Sequence, residues 1–125
     1  MLICVHACDF SSNPYADGKK LFKIHCANCH MEDGTGLEAL YPPLQGADYL
    51  QSLGSSLACV IQNGIQNPIQ VNGVIYEQAM PANEQLSEVE ITNICNYVLS
   101  EWSDNGTYVS LEQVKDVLKA CTKEE

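Results

Sequence analysis

The chain has 125 residues, 46% of them hydrophobic, which is enough for one small domain with a modest core. Its 16 acidic residues face 6 lysines and no arginine, a formal charge of −10. No basic patch exists to neutralise phosphates, so nucleic acid and an anionic membrane surface are excluded as natural partners. A protein partner with a basic docking face fits the charge, and so does acidity that serves solubility alone.

Residues 1–8, Met-Leu-Ile-Cys-Val-His-Ala-Cys, are too short for a complete signal peptide, whose apolar core runs to about 7–15 residues. Val5-His6-Ala7-Cys8 resembles a lipoprotein processing box, with Cys8 as the lipidated first residue of the mature chain. The alternative is a bare N-terminal stretch with an incidental Cys. Asp9 to Ala16 is polar, carries Pro14 and reads as a tether. No stretch is long and apolar enough for a transmembrane helix. A first helix is expected to start at Asp17 as N-cap and to run through Ile24. Gly18 permits close approach of another helix there, and Leu21, Phe22 and Ile24 are apolar.

Cys26-Ala27-Asn28-Cys29-His30 follows, the Cys-x-x-Cys-His pattern of covalent haem attachment. Thiols at this spacing share one helical turn, so both can add to the vinyl groups on one edge of a porphyrin. His30 is then held close to the ring and can ligate the iron from one face. Two other readings stay open for these residues: a zinc half-site and a redox dithiol. His25 adjoins the motif and is expected to face solvent.

Residues 31–47 read as loop, punctuated by Gly34, Gly36, Pro42, Pro43 and Gly46, with a short turn of helix near Asp48–Gln51. The next helix covers Gly54–Asn63 and ends at Gly64, with Leu57, Val60 and Ile61 on its buried side. Alternating apolar residues around Asn72-Gly73 predict a β-hairpin over 69–76. It delivers the chain to Met80-Pro81. A thioether is a soft ligand, and a His/Met pair gives iron with a raised potential. Met1 is the start and Met31 adjoins His30, too close to reach the opposite face. Met80 is therefore the candidate second ligand, with plain core packing as the alternative.

Ser87 and Glu90 form a capping box, stapled by Leu86 and Ile91. That helix is expected to run to Trp102, with Ile91, Ile94, Cys95, Val98 and Trp102 on one face. A last helix opens at Ser110, boxed with Gln113 and stapled by Val109 and Val114, and continues to Ala120.

From Asp17 to Trp102 the sequence resembles the class I, single-haem c-type cytochromes, especially the small bacterial periplasmic ones. The resemblance rests on Gly18, Phe22, Cys26, Cys29, His30, Tyr41-Pro42-Pro43-Leu44, Met80-Pro81 and Tyr97. It implies an all-α fold of about four to five helices around one covalently attached haem c. The domain would span 17–125, with 110–120 as an extra C-terminal helix and 1–16 as the tether or a lipoprotein remnant. It also implies that Gly18 and Phe22 cross the late helix near Ile94 and Tyr97. The carbonyl of Pro42 would take a hydrogen bond from the second imidazole nitrogen of His30. Leu44 would belong to the haem pocket.

The function implied is one-electron transfer between periplasmic or membrane-bound redox partners, with no enzyme activity of its own. An open sixth site would instead make a sensor or haem enzyme, and the chain could equally be the cytochrome subunit of a larger respiratory complex. Attachment of this kind belongs on the outer side of the inner membrane, where disulfides persist. Of the remaining cysteines, Cys95 reads as an unpaired core residue. A Cys59–Cys121 disulfide would pin the last helix to the domain, stabilising by roughly 4 kcal/mol for a closed loop of about sixty residues. Cys59–Cys95 and no disulfide at all are its rivals.

Overall fold

The computed structural model describes residues 13–121. Cys4, His6 and Cys8, with the lipoprotein reading that rests on them, lie outside the described residues. Six α-helices and one two-stranded ribbon make up the rest: α1 (Ala16–His25), α2 (Ala27–His30), α3 (Asp48–Leu53), a 3₁₀ turn (Gly54–Ser56), α4 (Leu57–Asn63), β1 (Ile69–Val71), β2 (Val74–Tyr76), α5 (Glu88–Trp102) and α6 (Leu111–Ala120). The fold is helical, as expected, with the hairpin where the Asn-Gly pair put it.

α5 is the centre of the core. Ile91, Ile94, Cys95 and Val114 of the adjoining α6 have no exposed surface. From Ile94 to Leu99 every residue of α5 is buried, so its apolar stripe is wider than one face. Its start is fixed by the expected capping box: the Glu90 N–H donates to Ser87 Oγ at 3.2 Å, and the Ser87 N–H donates to Glu90 Oε1 at 3.0 Å. The same device opens α6 through Ser110 and Gln113.

α1 lies across α5 at van der Waals contact. A Cβ on Gly18 would collide with the Asn93 carbonyl oxygen and stand 2.8 Å from Tyr97 Cβ. One turn on, Phe22 is buried and packs, with tilted rings, at 5.5 Å from Tyr97 and 5.2 Å from Trp102 between ring centres. The crossing falls where it was expected, near Ile94 and Tyr97, with Gly18 against Asn93 and Tyr97.

Three expectations need correction. Asp17 is not the N-cap of α1. Asn13 Oδ1 accepts from the Tyr15 N–H at 2.9 Å, and Asn13 O from the Ala16 N–H at 3.1 Å, which turns the chain early. The helix therefore starts at Ala16, inside the stretch assigned to the tether, and Asp17 sits in its first turn. The turn near Asp48–Gln51 is a helix reaching Leu53. Between Gly54 and Asn63 the first turn is 3₁₀, and the α-helix begins at Leu57.

The hairpin turn places Asn72 at φ 51° and Gly73 at φ 81°, both left-handed, as a two-residue turn that matches strand twist requires. Val71 and Tyr76 face inward and are buried. Cys59 on α4 and Cys121 after α6 come together with Cα atoms 6.0 Å apart, within the range a disulfide spans. Cys95 is buried and unpaired. Among the described residues no helix is long and apolar enough to cross a membrane.

Gly18→Ala should destabilise the domain by about 1–3 kcal/mol, because two backbones must move apart. Urea unfolding followed by circular dichroism measures this; an unchanged midpoint would mean that α1 and α5 are not in contact at Gly18.

Candidate haem site

α1 ends one residue before the motif, and the Cys26 N–H still donates to Phe22 O at 2.9 Å. α2 then winds Ala27–His30 into a single turn, with the His30 N–H on Cys26 O at 3.0 Å. That turn brings Cys26, Cys29 and His30 to one side of a cavity in the middle of the domain.

His30 is oriented from behind. Its Nδ1 lies 3.0 Å from the Pro42 carbonyl oxygen. A carbonyl only accepts, so Nδ1 carries the proton and Nε2 keeps its lone pair. Burial holds the His30 pKa below the usual imidazole value, with the Pro42 bond opposing, so the ring is neutral at pH 7. The loop that presents Pro42 is tied to itself. Gly34 O accepts from Leu44 N–H at 2.7 Å and from Gln45 N–H at 3.0 Å, and the Gly36 N–H returns to His30 O at 2.9 Å. Gly34 has φ 72°, and a Cβ there would enter the Trp102 indole.

Met80 reaches the same cavity from another segment. Its N–H donates to Ile65 O at 2.8 Å and its carbonyl accepts from the Ile65 N–H at 3.0 Å. Pro42 and Leu44 line the cavity too. So does His25, which is half-buried at the wall instead of facing solvent. The sequence did not mark several other wall residues: Tyr49, Leu50 and Leu53 from α3, Val71 and Tyr76 from the hairpin, and Ile65 and Gln78. The inward alternation of the hairpin was the available signal for Val71 and Tyr76.

Among the described residues no carboxylate or ammonium group lines this cavity. Such a wall suits a large flat ligand with apolar faces. The two rival readings of Cys26 and Cys29 fare worse. Among the described residues no three His, Cys, Asp or Glu side chains converge to hold a metal ion, as zinc would need. A redox dithiol needs a thiol of lowered pKa. Burial, with the neighbouring Cys29 adding to it, pushes the Cys26 thiol up to about 12.

The Cytochrome c family model matches residues 15–102. The chain belongs to the cytochrome c family. Over 93 residues it is 36% identical to cytochrome c-552 of Thermus thermophilus, covering 71% of this chain and 70% of that one. It is 35% identical over 91 residues to cytochrome c6 of a Synechococcus species, covering 72% of each. It is also 34% identical over 92 residues to the cytochrome c subunit of a quinone-dependent alcohol dehydrogenase from Gluconobacter oxydans, of which it spans 19%. Its cofactor is one covalently attached haem c, and electron transport is its business. The apolar cavity, the two thiols on one turn and the neutral imidazole fit that group.

Cys26→Ala/Cys29→Ala should release all haem into acid–acetone, while the parent retains its colour in the protein pellet. Colour retained by the double variant would place the attachment elsewhere.

Proposed function

We propose that this cytochrome c is a one-electron carrier with its haem bonded to Cys26 and Cys29 and its iron held between His30 and Met80. The observation that carries the reading is the cavity itself: a turn bearing both thiols and a neutral imidazole on one side, a thioether from a separate segment on another, and no charge among the described residues of the wall. When bound, the haem iron supplies the Fe(III)/Fe(II) couple, and a thioether ligand favours the reduced state.

The chain's own residues do the rest. Pro42 fixes the His30 tautomer and ring plane and makes Nε2 a better donor. Leu44, Leu50 and Ile61 keep water from the iron's surroundings. A low-dielectric wall also penalises the more highly charged state. Met80 as a second ligand would leave the iron no open site for substrate, which supports a carrier over an enzyme or gas sensor.

The partners proposed are redox proteins with a basic docking face. No lysine or arginine occurs between residues 24 and 114. Leu40 and Ile75 are exposed and meet in a shallow depression beside Gln78, which also lines the cavity; Glu77 lines the depression and Glu38 stands next to Ala39 in it. An apolar centre with acidic neighbours suits a complementary basic rim. The relatives leave two settings open, a free carrier like those named cytochromes and a domain of a dehydrogenase complex like the Gluconobacter subunit. Placement outside the cytoplasmic membrane, and a lipid anchor on Cys8, are proposed from the sequence.

Met80→Ala should keep its haem yet lower the reduction potential by on the order of 0.1–0.3 V, within the roughly 0.8 V that axial ligands span. The ferric form should also gain cyanide binding. A potential and a cyanide affinity equal to the parent's would remove Met80 from the iron.

The rate of electron exchange with a basic redox protein should fall steeply as ionic strength rises through about 0.15 M, where the screening length is about 8 Å. Stopped-flow rates indifferent to salt would assign the acidity to solubility alone.

A further inference from the structure

The residues after Trp102 lie beyond the match to the family, yet side chains of α3, α4 and α5 fasten them to the domain. Gln51 on α3 donates from Nε2 to the Trp102 carbonyl at 3.0 Å and accepts from the Asp104 N–H at 2.9 Å. Buried Asn96 on α5 donates to the Val109 carbonyl at 2.9 Å and accepts from the Val109 N–H at 2.8 Å. Val114 of α6 is buried in the core, Lys115 pairs with Glu88 of α5, and Cys121 stands against Cys59 on α4.

α4 also has a task on its inner side. The backbone that carries Met80 hangs from its C-terminal end. Ile65 exchanges both backbone bonds with Met80. The Asn83 side chain donates to Ile61 O at 3.0 Å, and the Asn83 N–H bonds Ile61 O and Gln62 O at 3.2 and 3.1 Å. Gly64, at φ 69°, lets this happen, because a Cβ there would strike the Met80 carbonyl and the backbone of Pro81 and Ala82. Ile61 is 3% exposed, so the same helix is wedged into the core between Met80 and α6.

We propose that α6 and a Cys59–Cys121 disulfide are positioning elements for Met80, holding from outside the helix on which the Met80 segment hangs. The inference rests on the reading of Met80 as an iron ligand. Forming the bond takes two electrons and two protons from the two thiols, and a partner disulfide accepts them and leaves as a dithiol. His30 is held separately: the hydrogen bonds described for it go to Pro42, Gly36 and Cys26, with none to α4 or α6. Loosening α4 therefore acts on one side of the iron. Met80 would leave the metal more often by local opening, while the thioethers and His30 stay in place.

The test uses ferric holoprotein. The parent is compared with Cys59→Ser/Cys121→Ser, and with parent protein reduced by a phosphine, alkylated and returned to the ferric state by ferricyanide. All forms should keep the haem through acid–acetone. Without the cross-link, cyanide affinity should rise about tenfold and the weak far-red band of Met ligation should diminish. Leu99→Ala, a truncation in the buried part of α5 outside the cavity wall, serves as a control for general destabilisation, and its cyanide affinity should stay within about twofold of the parent's. Equal affinity with and without the cross-link, in a parent that shows the far-red band, overturns this proposal alone. So do free thiols at Cys59 and Cys121 in parent protein isolated without reductant. A parent that lacks the band overturns the ligation reading and this proposal together.

Discussion

The crossing of α1 and α5 at Gly18 is the constraint on which the rest hangs. Two helices can approach until backbone meets backbone only where one of them lacks a Cβ, and Gly18 against Asn93 and Tyr97 is that place. The approach decides where α1 ends, and therefore where Cys26, Cys29 and His30 stand relative to Ile94 and Val98 on the cavity wall. Phe22 and its two aromatic neighbours fill the angle between the helices. Shifting the crossing would displace the motif as a unit, because the turn carrying it is continuous with α1 through the Cys26–Phe22 hydrogen bond.

The two ends of the proposed iron axis are supported differently. His30 belongs to a tight local unit in which loop carbonyls and amides satisfy one another and the indole of Trp102 backs Gly34. Met80 has no local support of that kind. Its backbone partners lie across the molecule, on Ile65 and, through Asn83, on Ile61 and Gln62. Local hydrogen bonds re-form quickly after opening, whereas long-range ones depend on the whole of α4 staying docked. The asymmetry makes the thioether side the softer one.

Much of this was legible because it is written in short-range chemistry. Cys-x-x-Cys-His is one turn of chain, the two capping boxes are one turn each, and Asn72-Gly73 is a turn in itself. Pro42 came through resemblance to known cytochromes and then through its 3.0 Å contact with His30 Nδ1. What escaped the sequence depends on tertiary context. Asp17 looks like a cap, but the Asn13 side chain turns the chain first. α3 has too few turns between Gly46 and Gly54 to show a period, so its wall residues were invisible. His25 follows apolar Ile24 and gives no local sign of which one meets the cavity; Ile24 is 61% exposed and His25 lines the wall. Asn83 and Asn96 read as surface amides until their backbone partners are known.

The distribution of charge carries one further consequence. The described lysines sit on α1 and α6, at Lys19, Lys20, Lys23, Lys115 and Lys119, while the charged residues of the described loops are acids alone and the hairpin carries no charge. Both helices pack on α5. Net positive charge is thus confined to α1, where three lysines outweigh Asp17, while α6 balances Lys115 and Lys119 with Glu112 and Asp116; charge so unevenly spread gives the domain an electric dipole as well as a net charge. In the field of a basic surface such a body feels a torque before it feels contact. It turns a surface without lysines to the front while still in free diffusion, and the depression lined by Leu40, Ile75 and Glu77 is such a surface. Orientation is then largely complete when the surfaces meet, and fewer collisions are spent on the wrong face.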